Sequence, residues 1–113
     1  MHINFTFGWD RWPNADVYFE LDGFELRFRL YNFRGKKNQK KIAENALRKI
    51  NDILETKNSK CIVDDTQIKS GGKTMKIAVI NEKSWLALTD GKIDIKKTAA
   101  KLKKLEKIFF ENE

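Results

Sequence analysis

Lysine is the side chain with the most evident chemistry in this chain, and its distribution is uneven. Arg34, Lys36, Lys37, Lys40 and Lys41 crowd around Gly35, just where a helical pattern begins. Cations at a helix start oppose the macrodipole, so local stability does not explain them. An anion there would be held by the ammonium groups and by the free backbone N–H groups together. Lys97, Lys101 and Lys104, with Lys96, Lys103 and Lys107, cover the outer surface of a second helical pattern near the C-terminal end. Each run also fits an ordinary solvated face; adjoining, they would attract a polyanion in a salt-dependent way. Residues 1–33 carry three Lys/Arg against five Asp/Glu, and residues 34–113 carry twenty against eleven, which places the whole basic excess downstream. Lysine outnumbers arginine eighteen to five. That balance favours contact with phosphates as point charges over bidentate reading of bases.

Two aromatic features could also meet a partner. The stretch Gly8-Trp9-Asp10-Arg11-Trp12-Pro13-Asn14 reads as a rigid loop between strands. Trp9, Arg11 and Trp12 are of the types that anchor protein interfaces or stack on unpaired bases, and the same loop could instead fold back onto the core. Tyr18, Arg27, Arg29 and Tyr31, with Asn4 and Thr6 alongside, alternate onto one face of a predicted sheet as a polar, aromatic platform. Single-strand binders use such faces, but Asp16, Glu20 and Glu25 on the same side weaken the case for an anionic ligand.

No catalytic motif is complete. Ser70-Gly71-Gly72-Lys73-Thr74 ends like a phosphate-binding loop, but the earlier glycine it needs falls on Gln67 and a strand follows instead of a helix. Glu20 and Glu25 flank a predicted turn and Asp64-Asp65 closes a strand, the raw material of a metal-dependent nuclease without its lysine arrangement. His2 is the sole histidine, so no histidine acid–base pair can form. Cys61 lies in an apolar pattern and reads as a buried structural thiol with no disulfide partner. No cofactor or metal is expected.

The elements that must position these residues are legible. With 113 residues the chain has room for one domain. Residues 2–7 alternate as a strand, and Val17, Phe19 and Leu21 alternate toward Asp22-Gly23, read as a type I′ turn. Phe24, Leu26, Phe28 and Leu30 return, pairing Leu21 with Phe24, Phe19 with Leu26 and Val17 with Phe28; outside, Tyr18 lies beside Arg27 and Asp16 beside Arg29. Ile42, Ala43, Ala46, Leu47, Ile50, Ile53 and Leu54 mark a helix over 37–56. Strands follow at 61–63, 74–80 and 85–88, then a turn at Asp90-Gly91. A closing helix capped by Asp94 carries Ile95, Ala99, Leu102, Leu105 and Phe109 inward. The class is α+β, an antiparallel sheet with two helices on one face in the order βββα-βββα, a pattern-level pseudo-repeat.

No apolar run is long enough for a membrane span, and the N-terminal residues lack the features of a signal peptide, so a cytoplasmic setting is expected. The leading expectation is a non-enzymatic protein that engages nucleic acid or a nucleoprotein complex through its lysine-rich surface. By association, such proteins include mobile-element regulators and inhibitors of host nuclease complexes. The alternatives are an inhibitor or immunity-type protein anchored by the Trp9 to Trp12 loop and a small metal-dependent nuclease.

Overall fold

A computed structural model describes residues 4–12, 14–31, 33, 38–65 and 73–110. The class is α+β. Strands β1 (Asn4–Trp12), β2 (Ala15–Asp22) and β3 (Glu25–Tyr31) precede helix α1 (Gln39–Thr56). Strands β4 (Val63–Asp65) and β5 (Thr74–Ile80), the single turn α2 (Glu82–Trp85), strands β6 (Leu88–Thr89) and β7 (Lys92–Ile93) and helix α3 (Ile95–Phe110) complete the order. Five strands form an antiparallel sheet in the order β1-β2-β3-β5-β4, and β6-β7 is a separate ribbon.

The β2-β3 hairpin forms, but in a different register from the one expected. Asp22 pairs with Glu25, Leu21 with Leu26, Phe19 with Phe28 and Val17 with Leu30, so the two-residue loop is Gly23-Phe24. Either register keeps the same residues on each face, because the side-chain period is two. Turn chemistry decides between them. Gly23 takes φ +63° as the first central residue while Phe24 keeps an ordinary φ, the II′ pattern, and Phe24 is left in solvent. On the outer face Arg27 therefore lies opposite Glu20 and Arg29 opposite Tyr18.

The first strand does not end at residue 7. Phe7 pairs with Phe19 and Asp10 with Val17, so Gly8 and Trp9 together oppose the single residue Tyr18 in a β-bulge, and pairing continues to Trp12 opposite Ala15. The expected aromatic loop is thus the second half of a strand. Gly8 makes the bulge with φ +67°, and a Cβ there would lie 2.7 Å from the Phe110 ring.

The second half departs from a repeat. The stretch 85–88, expected as a strand, begins with the end of α2, whose start is capped by the Asn81 side chain accepting from Lys83 N at 3.0 Å. Trp85 is buried, and Cys61 and Ile62 precede β4 instead of opening it. Asp90 and Gly91 take φ +54° and +77°, as a type I′ turn requires. Asp94 caps α3 as expected, accepting from Lys97 N at 3.0 Å. The first turn of α3 is rotated from the expected face, with Ile95 79% exposed, Ala99 exposed and Thr98 buried. The Thr98 hydroxyl accepts from Ala87 N at 3.0 Å and donates to Ala87 O at 3.3 Å, a pair that an apolar side chain at this contact could not make.

Both long helices contribute to one core. Ile42, Ala43, Ala46 and Ile50 of α1 and Leu105 and Phe109 of α3 join the inward residues of the sheet. Phe19, Phe28, Phe109 and Phe110 meet with ring centroids 5.2–6.5 Å apart. Full burial of each such ring contributes ~1.5 to 3 kcal/mol.

Candidate nucleic-acid interface

The outer sheet face has its charges already matched. Arg27 lies 3.1 Å from Glu20, 3.2 Å from Asp22 and 2.5 Å from Glu25, and Lys76 Nζ is 3.5 Å from Glu25. The hydrogen bond from Arg27 holds the Glu25 carboxyl below its ordinary range, and Lys76 adds to the effect against partial burial. Arg29 donates to Tyr18 Oη at 3.2 Å and to Thr74 Oγ1 at 2.8 Å and lies 3.7 Å from Glu20. Glu20 and Glu25 do not face each other across the hairpin, as the other register implied. Both point to Arg27. Tyr18, Arg27, Arg29 and Tyr31 do share the face, but their cations are engaged by their own carboxylates and hydroxyls.

The Trp9 to Trp12 segment divides between the two sides of the sheet. Trp9, brought out by the bulge, is 53% exposed and stacks on Tyr18, with Tyr31 edge-on at 6.1 Å. Trp12 is 5% exposed and is a core residue, against Phe28 and Phe110, with Lys49 Nζ 4.3 Å from its ring centroid. Its assignment to a partner-binding loop is therefore corrected: an odd number of residues between the two tryptophans would put both on one face of a regular strand, and with two between them they alternate. Arg11 is exposed, its guanidinium 3.9 Å from Asp16 and its backbone N–H donating to Asp10 Oδ1 at 2.8 Å.

Of the first basic run, Arg34, Lys36 and Lys37 lie outside the described residues. Lys40 and Lys41 are exposed on the first turn of α1, where Asn38 makes no side-chain cap and no acidic residue balances the dipole. The second run does more. Lys101, Lys104 and Lys107 of α3 converge with Lys57 at the end of α1, Lys60 beyond it and Lys83 of α2 around a groove of about 740 Å³. Ile62, Leu105, Ile108 and Cys61 give it an apolar floor, and among the described residues that line it there is no carboxylate. Lys97 precedes Lys101 by one turn on the same stripe of α3.

Two of these lysines are fixed by backbone. Lys57 Nζ donates to Ile108 O at 2.8 Å and lies 3.4 Å from Lys107 O, at the carbonyl end of α3, where a cation complements the helix dipole. Lys101 Nζ reaches Leu86 O at 3.4 Å and Lys83 O at 3.5 Å. Cys61 is half-buried on the groove wall, and burial pushes its thiol above the ordinary range, partly offset by a hydrogen bond with Ser84. The groove lies at the far end of α1 from Lys40 and Lys41, about 24 Å along the helix at 1.5 Å per residue. The two basic runs are thus separated along α1. Lys57, Lys60 and Lys83 were not among the residues singled out in sequence, since each is isolated there and converges only through the packing of α1, α2 and α3.

Among the described residues no three His, Cys, Asp or Glu side chains gather as metal ligands, and Asp64 accepts from Asn81 Nδ2 at 3.1 Å. No helix of the described residues is long and apolar enough to cross a membrane. In comparisons with known proteins, no family model, curated protein or solved structure matches the chain.

Proposed function

We propose that this chain is a non-enzymatic binder of nucleic acid, free or within a nucleoprotein complex, and that the lysine groove between α1, α2 and α3 is the contact surface. One observation carries the reading: six lysines, from the end of α1, the segment after it, α2 and α3, line one groove with no carboxylate among its described walls. Packing six cations together costs electrostatic energy in the free protein. Phosphates relieve that cost and release counterions as they bind. Among its described lining residues the groove offers no arginine fork for bases, so affinity would come from the backbone and depend weakly on sequence. The balanced charges of the outer sheet face make it the poorer nucleic-acid surface of the two.

Fluorescence anisotropy of labelled single- and double-stranded oligonucleotides tests this directly. With about four phosphates neutralised, log K should fall with log salt at a slope of roughly −3 to −4. Absence of binding at about 50 mM salt, where such contacts are strongest, would overturn the reading. A second reading, a protein inhibitor anchored on the outer face, is favoured by one observation only, the exposure of Trp9 on a charge-matched surface.

A further inference from the structure

The two edges of the five-stranded sheet differ. The β4 edge is three residues long and two of them are aspartates, a short charged edge of the kind that resists strand addition. The β1 edge is nine residues long, and Asn4 to Trp9 carry no charge. Among the described residues no strand lies on its outer side.

The hairpin geometry fixes which backbone groups face outward there. A two-residue turn makes Asp22 and Glu25 a hydrogen-bonded pair, so Asp22, Glu20 and Tyr18 address β3, while Leu21 and Phe19 address β1. Phe5 and Phe7, opposite Leu21 and Phe19, therefore bond inward, and the N–H and C=O groups of Asn4 and Thr6 point away from the sheet. The side chains of Phe5 and Phe7 stand on the inner face of the sheet, with those of Leu21 and Phe19. Phe7 stacks on Phe19 at 5.2 Å, Phe5 lies 5.6 Å from Phe7, and this aromatic row stops at the edge with Phe5 43% exposed.

We propose that β1 pairs antiparallel with β1 of a second copy of this chain, about a two-fold axis at Phe5. Asn4 of each copy then forms a hydrogen-bonded pair with Thr6 of the other. The two Phe5 residues become a non-hydrogen-bonded pair, the close arrangement in which cross-strand rings meet, and the aromatic row continues across the axis. The two-fold makes this segment its own complement, and no charged residue falls opposite another in it despite the net charge of +7. The contact is short, so the dimer is a reversible one with a dissociation constant in the micromolar range.

Sedimentation velocity on the full chain from about 5 to about 500 μM tests this, with wild type expected to pass from monomer to dimer across the range. Thr6→Pro removes an outward N–H at an edge position where proline is tolerated, and Phe5→Lys places two like charges opposite each other. Each should weaken dimerisation by about tenfold or more while the circular dichroism spectrum and melting temperature stay close to wild type. A wild-type protein that stays monomeric throughout overturns the proposal. So does either variant, folded, that dimerises as tightly as wild type.

Discussion

Trp9 and Tyr18 lie ring on ring, with centroids 4.1 Å apart and planes 8° from parallel. The bulge at Gly8 makes the pair possible, because it sets both Gly8 and Trp9 against Tyr18 and turns the indole outward. Tyr18 is held in turn by Arg29, so the exposed indole rests on a fixed base. Trp9→Ala should reduce stability by ~0.5 to 1.5 kcal/mol in urea titrations, the usual worth of an aromatic pair. Oligonucleotide binding should not change if the lysine groove is the nucleic-acid surface. If the outer face anchors a protein instead, the same variant should cost ~2 kcal/mol or more at that interface, with little dependence on salt.

The groove makes a sharper prediction than the number of lysines in the chain. Lys60→Gln, Lys83→Gln and Lys104→Gln together should reduce the magnitude of the salt slope of oligonucleotide binding by about 2 to 3. Lys40→Gln with Lys41→Gln, at the other end of α1, should leave that slope nearly intact. Salt titrations of the two variants decide between the helix start and the groove, and the reverse result would move the site to residues 34–41.

Cys61 reports on the same groove without altering its charge. Burial raises the thiol above its ordinary range, so alkylation by iodoacetamide near pH 8 should be slower than for a free cysteine and should speed up as pH rises. Oligonucleotide in the groove should slow it further. Equal alkylation rates with and without bound oligonucleotide would place the ligand elsewhere.

Strand alternation and helical periodicity carried most of the fold. The stripe from Ile42 to Ile50 and the strand Thr74–Ile80 lie where their patterns put them, because one period fits each and nothing competes. Errors came where two solutions share a pattern. The hairpin register depended on whether Gly23 was the first or second central turn residue, and a period of two cannot tell these apart. The bulge at Gly8 was hidden because glycine, tryptophan and proline in one stretch suggest a loop. The left-handed φ of +67° and the approach of Phe110 together show why glycine is needed there. Thr98 displaced Ile95 from the inner face of α3 through a hydrogen-bonded contact with Ala87, which periodicity does not encode. The candidate site was half legible, since α3 announces its lysines in a run while Lys57, Lys60 and Lys83 come from three separate places.

The outer face gives an acid-side prediction. Glu25 has its pKa lowered in the folded protein, chiefly by the hydrogen bond from Arg27, so the folded state binds the proton less readily than the unfolded chain. That contribution is complete above the unfolded glutamate value of about 4.3 and is lost as pH falls through the folded value. Glu25→Gln should therefore flatten the decline in stability below about pH 4.5 and leave the neutral-pH slope alone. With a side chain 40% exposed the pair is well screened, so the loss at neutral pH should stay below ~1 kcal/mol. Chemical denaturation at a series of pH values reads both effects.

Gly8 joins the outer face to the core, and its substitution separates two sources of strain. In Gly8→Ala the new Cβ would meet the Phe110 ring at 2.7 and 2.9 Å and Glu106 Cγ at 3.2 Å, and the residue would be held at φ +67°. The left-handed backbone costs ~1 to 2 kcal/mol for a residue with a Cβ, and overpacking adds ~1 to 3 kcal/mol. The single variant should therefore lose about 2 to 5 kcal/mol in urea titrations. Phe110→Leu removes the ring carbons that the methyl would strike, so in a double-mutant cycle with Gly8→Ala the contact part of the loss should be relieved and the backbone part retained. Strict additivity would mean that the bulge is held by its φ angle alone and that Phe110 yields at no cost. Full relief would mean that the left-handed conformation contributes nothing and that the fit between β1 and α3 is the whole reason for glycine.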